Sequence, residues 1–154
     1  MVATLFAVIG VLGTGVVYGT DVFCATVLRP ALARIDDRAL LAATGNIHRF
    51  GDRRMPVPGV IGLAAAAISA ALASVSGRWP QAGAAGAAVG LLLVWLLIYL
   101  RVSAPINRQL TAGADRPGPS TNARGLQRDW DRVITIRATL QGLAVAALCL
   151  APLI

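Results

Sequence analysis

VATLFAVIGVLGTGVVYGTDVFCATVL, residues 2–28, is an unbroken apolar run in which Asp21 is the only formal charge. As an α-helix of about 1.5 Å rise per residue it reaches about 40 Å, enough to cross a hydrocarbon core of about 30 Å with some tilt. The stretch therefore predicts a membrane span. An ionised carboxylate at mid-bilayer costs about 2.5–3.5 kcal/mol on insertion scales, so an Asp in such a helix faces protein or water and has a partner. Asp21 is the residue that the remaining sequence has to explain.

Three further apolar runs, 57–76, 82–103 and 133–150, are each about long enough to span. Prolines punctuate the boundaries: Pro30 follows the first run, Pro56 and Pro58 open the second, Pro80 lies in a turn, and Pro105 closes the third. Pro105 removes an amide donor and biases Ala104 away from helical geometry, so the third helix is expected to end or kink within a turn of Ser103. Asn107 or a water should then satisfy the carbonyls freed near Tyr99 to Arg101. The expected fold is all-α: one integral membrane domain over 1–154, a four-helix transmembrane bundle with a short cytoplasmic interfacial helix.

Composition agrees, with 56% hydrophobic residues and a mean hydropathy of +0.70, above an ordinary soluble domain. The net charge of +7 comes from Arg and Asp alone. The Arg residues lie in short segments beside apolar runs, a distribution of topology signals rather than of nucleic-acid contacts, so the expected partner is the lipid bilayer and no nucleic acid. Twelve Arg fall in the first and third connections against Arg78 alone in the second. The positive-inside rule then makes the chain a multi-pass protein of the cell membrane with both termini outside. A cleavable leader would want a basic start and a shorter core, so the first helix is expected to be retained. Cys24 and Cys149 fall near opposite faces and read as packing residues.

Gly15 with Gly19, and Gly86 with Gly90, have the small-xxx-small spacing of close helix packing, within one chain or in a homo-oligomer. In the first connection Asp36 and Asp37 suit a helix N-terminus, and Leu40, Leu41, Thr44, Ile47 and His48 follow at helical spacing. His48 reads there as an interfacial side chain that nothing ties to the other polar residues. The segment from Asp115 to Asn122 reads as a loop, after which Asn122 or Thr121 caps a helix running into the fourth span, with Trp130 at headgroup level.

Helical spacing gathers the intramembrane polar residues onto single faces: Thr14, Tyr18 and Asp21; Tyr99, Ser103 and Asn107; Trp130, Ile134, Arg137 and Gln141. All three faces fall in the cytoplasmic half, and depth matches Asp21 to Arg137. Such a pair can neutralise itself and fix register, or line a functional pocket, or Arg137 can snorkel to phosphate instead. Tyr18, Tyr99, Ser103, Trp130 and Gln141 are the candidates to line a pocket. One His, two remote Cys and no Glu supply no usual metal ligand set. No phosphate loop, CxxC or Ser, His, Asp motif is present, and no cofactor is expected.

Val27-Leu28-Arg29-Pro30-Ala31-Leu32, Arg54-Met55-Pro56, Ala104-Pro105-Ile106-Asn107-Arg108 and Trp130-Asp131-Arg132 leading to Arg137 run through nearly the whole chain. In these elements the sequence resembles the anthrone-oxygenase-like proteins, small four-span membrane proteins mostly without assigned function. Where that pattern often has His three residues before the Arg, this sequence has Ile134. The resemblance implies that some members oxidise an anthrone to an anthraquinone with dioxygen and no evident cofactor. Such chemistry needs a base and a cation to hold an enolate, roles open to Asp21 or His48 and to Arg137, with Asn107 as an orienting donor.

Three readings follow: a membrane protein without catalysis, a cofactor-independent oxygenase or oxidase of an apolar aromatic, and a small-solute or proton transporter. An enzyme should have a pocket of about 300 Å³ or more beside Asp21, Asn107 and Arg137. A transporter should continue a polar path to the other face.

Overall fold

The computed structural model describes residues 1–115 and 122–154, and every described element is helical. Five helices make up the fold: α1 (Val2–Leu32), α2 (Asp37–Arg54), α3 (Pro56–Val75), α4 (Trp79–Asp115) and α5 (Ala123–Leu150). Four of them, all but α2, are long and apolar enough to cross a membrane. The protein is a multi-pass membrane protein built as an all-α bundle. The loop expected at 115–122 falls largely on 116–121, outside the described residues, as does Thr121 as a cap. Asn122 caps α5, its side-chain oxygen accepting from the Gly125 amide at 2.9 Å.

Two helices run past the prolines expected to end or kink them, each with its regular α-helical bonding interrupted just before the proline. In α1 the Arg29 amide reaches back five residues to the Cys24 carbonyl, and in α4 the Ala104 amide does the same to Tyr99. Each widened turn lies immediately before a proline, Pro30 or Pro105. A proline cannot donate to the carbonyl four residues back and its ring collides with it; one π turn there absorbs both defects and lets the helix continue. Asn107 is therefore not needed as a local cap and is free for another partner.

The continuation of α4 gives α2 something to pack on. Asp36 caps α2, its carboxylate accepting from the Arg38 and Ala39 amides at 2.9 Å each; these bonds, Ala39's foremost, hold the Asp36 pKa below its ordinary value. Leu40 and Leu41 then bury against Ile106 and Leu110 of α4 and Trp130 and Ile134 of α5. At Gly45 a Cβ would stand 2.8 Å from the Leu110 carbonyl oxygen, so only glycine permits this approach. Arg124 of α5 clasps the α1–α2 link, donating to the Leu32 and Ile35 carbonyls at 3.1 and 2.7 Å and to Asp37 at 3.0 Å. An expected short interfacial helix is thus an 18-residue helix docked on the bundle end.

Further into the bundle, next to the cavity, α1 and α3 cross so closely that a Cβ on Gly13 would lie 2.7 Å from the Gly62 amide nitrogen. Around the crossing the core is small and apolar: Ala66, Ala85, Ala88, Leu92, Ala144 and Leu148. The glycine pairs expected to pack, Gly15 with Gly19 and Gly86 with Gly90, meet nothing within 4 Å. Within the chain, close packing falls to Gly10, Gly13, Gly62 and Gly142 instead.

Candidate functional site

Arg137, at 5% exposure, stands at the centre of the Arg-rich half of the bundle. Its Nη2 donates to Asp21 Oδ1 at 3.0 Å and its Nη1 to Ser103 Oγ at 2.8 Å, while Gln141 Nε2 donates to Asp21 Oδ2 at 2.6 Å. Both carboxylate oxygens are therefore engaged, and snorkelling of Arg137 to phosphate is excluded. Three rings surround the cation, with centroids 5.5 Å (Tyr99), 5.8 Å (Trp130) and 6.0 Å (Trp95) from the guanidinium carbon. Inside a desolvated site such aromatic faces add attraction to a cation that its single carboxylate neutralises.

The π turns place this cluster. Tyr99 and Ser103 begin and end the π turn of α4, and Asp21 lies one turn ahead of the π turn of α1. A π turn re-aims side chains by adding a residue to one turn, which is why such turns recur at functional sites.

A second carboxylate enters from α2. Asp52 Oδ1 accepts from the Tyr99 hydroxyl at 3.0 Å and from Asn107 Nδ2 at 2.8 Å. One turn earlier, His48 lies buried with its ring centroid 5.5 Å from that of Trp130. Burial pushes the His48 pKa down from 6.5 to about 4, against the opposing pull of Asp52 and with the help of Arg137, so its imidazole is neutral at neutral pH.

These residues surround a cavity of about 180 Å³, lined by Asp21, His48, Asp52, Asn107, Trp130 and Arg137 among others. That is below the 300 Å³ expected of an enzyme pocket, because the Trp95, Tyr99 and Trp130 rings fill part of the space around Arg137. Several buried polar atoms on its lining residues have no protein partner among the described residues: Trp130 Nε1 and Arg137 Nε as donors, Asn107 Oδ1 and Gln127 Oε1 as acceptors. Buried polar groups are ordinarily satisfied, so such a concentration points to a bound polar group or water.

Family models, curated proteins and solved structures give no match to this chain.

Of the residues singled out in the sequence, Asp21, His48, Tyr99, Asn107, Trp130 and Arg137 line the cavity, and Ser103 and Gln141 hold its ion pair from behind. Tyr18 does not join them: it lies against α5, where a Cβ on Gly142 would be 3.0 Å from its ring. His48 is no interfacial side chain, and Trp130, at 5% exposure, is a wall of the cavity rather than a headgroup anchor. Asp52 was missed. It follows His48 by four residues, so the face Leu41, Thr44, His48 carries it, and extending that face by one turn would have found it. No group of three or more potential metal-ligating side chains occurs among the described residues.

Proposed function

We propose that the cavity binds a small aromatic molecule carrying a carbonyl or hydroxyl oxygen, and that the protein oxidises it with dioxygen without a cofactor, as some of the anthrone-oxygenase-like proteins it resembles are held to do. The observation that carries this reading is the desolvated Arg137 cation beside a neutral imidazole on one cavity wall. Removing a proton from the ring methylene that lies across the ring from a carbonyl and is conjugated with it leaves an enolate, whose negative oxygen needs a cation and hydrogen-bond donors in a site free of water. Arg137 and the unpartnered Trp130 N–H group supply them.

His48 is the proton acceptor in this reading. A pKa of about 4 makes it a weak base at rest; the negative charge forming on the substrate raises its proton affinity as transfer proceeds. Asp21 serves as the counter-ion that fixes Arg137, and Asp52 orients Asn107 and Tyr99. Ile134 leaves no imidazole where the resembling proteins often have one, and His48 brings one to Trp130, one helical turn away. Carbanion and dioxygen then combine to a hydroperoxide that loses water to give the ketone, so substrate plus O₂ becomes quinone plus H₂O.

Transport is less favoured, since beyond the polar cluster the core is mostly Ala66, Ala85, Ala88, Leu92 and Ala144, and the polar side chains buried there among the described residues, Thr14, Ser69 and Gln81, carry no charge. We further propose that the protein lies in the cell membrane with the Arg-rich end in the cytoplasm and both termini outside, from the Arg distribution.

Dioxygen uptake with anthrone as probe, on the full chain in lipid nanodiscs, tests the activity. Uptake with matching anthraquinone absorbance, at least about tenfold above empty nanodiscs and lost in His48→Phe, is expected for general-base catalysis worth about 10²–10⁴. A rate equal to that of empty nanodiscs would overturn it.

A further inference from the structure

We propose that the molecule held in this cavity is an amphiphile dissolved in the bilayer, whose oxygen-bearing ring sits inside while its apolar remainder lies in lipid, and that it enters sideways between α1 and α3. The inference rests on the ligand-binding reading above and names the class of ligand and its route.

Size is the first argument. A space of about 180 Å³ is close to the ~150 Å³ that admits benzene and short of the ~300 Å³ at which pockets begin to enclose whole drug-sized ligands. The oxygen-bearing edge of a ring system fits, and the rest of a larger molecule has to lie outside. Polarity fixes which part goes in. Asn107, Gln127, Trp130 and Arg137 are each more than nine-tenths buried and each carries an unpartnered nitrogen or oxygen. They call for a group that both accepts and donates, as a ring hydroxyl does.

The walls fix the direction of entry. Towards the Arg-rich end the cavity is closed by α2 on α4, through Leu40, Leu41, Ile106 and Leu110, all buried. Beyond it, the Gly13–Gly62 crossing brings α1 and α3 into backbone contact. Between these two closures, Thr20, Pro56 and Val60 line the cavity and are exposed on the outer surface, Val60 at 66%, while Ile47 of α2, exposed at 40%, lines it on the Arg-rich side. Thr20, Pro56 and Val60 belong to helices that span, so the opening between α1 and α3 is on the lipid side. Across it runs one weak tie: the Thr20 hydroxyl donates to Met55 Sδ at 3.7 Å. Thioether sulfur is a poor acceptor on a flexible, unbranched chain, so the mouth widens at little cost.

The test compares two probes in nanodiscs, 4-bromophenol and the same ring bearing a dodecyl chain, through heavy-atom quenching of Trp95 and Trp130. Trp79 is exposed and outside the cavity, and Trp79→Phe leaves those two as the only tryptophans, excited selectively at wavelengths that tyrosine does not absorb. At equal mole fraction in the bilayer, both probes should quench saturably. In Val60→Phe, which narrows an exposed mouth without touching the core, the dodecyl probe should bind at least about tenfold more weakly and 4-bromophenol within about threefold of the parent. Saturable quenching by 4-bromophenol but not by the dodecyl probe would overturn lateral entry and leave the binding reading standing. Equal weakening of both probes in Val60→Phe would overturn it as well, and quenching by neither would remove both proposals.

Discussion

The two halves of the bundle hold together by opposite means. Around Gly13 and Gly62 the helices approach until their backbones touch, and the core is mostly alanine and leucine, with the uncharged Thr14, Ser69 and Gln81 buried among them. At the Arg-rich end the same α1 and α3 flank a cavity, and cohesion passes to Asp21, Arg137, Ser103 and Gln141. In lipid, close packing of small residues stabilises without any hydrophobic drive. A buried ion pair does so only when both partners are present, because desolvation opposes it. An end that needed only stability would repeat the first solution; the second leaves a cation and unpartnered polar atoms on a cavity wall.

Substitutions break this contrast in graded steps. The largest effect belongs to the ion pair. Asp21→Asn strands a buried guanidinium and Arg137→Gln strands a buried carboxylate, each costing about 3–5 kcal/mol in thermal or denaturant unfolding from nanodiscs. Next comes the buried imidazole. The folded His48 pKa of about 4 lies below the ordinary 6.5, so the unfolded chain binds the extra proton and stability rises with pH between those values. The contribution is whole above pH 6.5 and falls by about 3 kcal/mol as pH drops towards 4. In His48→Phe that part of the pH dependence should vanish; an unchanged pH curve would place the titrating group elsewhere.

The smallest step sharpens the apolar end. Gly13→Ala pushes a Cβ to within 2.7 Å of the Gly62 backbone, costing about 1–3 kcal/mol by overpacking. Gly15→Ala and Gly19→Ala meet open space and should gain up to about 1 kcal/mol from helix propensity. Equal effects at Gly13 and Gly19, read by thermal unfolding, would deny that the crossing at Gly13 and Gly62 sets the apolar end.

The four spans were legible because a run of about twenty apolar residues has one cheap fate in a membrane. The polar faces were legible for the same reason, and matching depth by helical rise brought Asp21 to Arg137. Periodicity does not tell which way a glycine face turns, so Gly15 and Gly19 looked like packing residues while Gly13 and Gly62 did the packing. Proline rules treat each helix alone: they marked the place where α1 and α4 depart from α-helical bonding, but not that π turns carry both onward. Missing the extension of α4 hid the surface on which α2 docks, and with it the burial of His48 and the place of Asp52. Those two depend on tertiary contact between segments some sixty residues apart, which no local pattern records.

The coupling of Asp21 to Arg137 is the claim on which the polar end depends, and a double-mutant cycle measures it directly. Asp21→Asn and Arg137→Gln, singly and together, are compared by unfolding free energy in the same nanodiscs. The double variant should recover much of the single losses, because two neutral amides leave no stranded charge, giving a coupling of about 2–3 kcal/mol. Losses that add to within about 0.5 kcal/mol would contradict the pair.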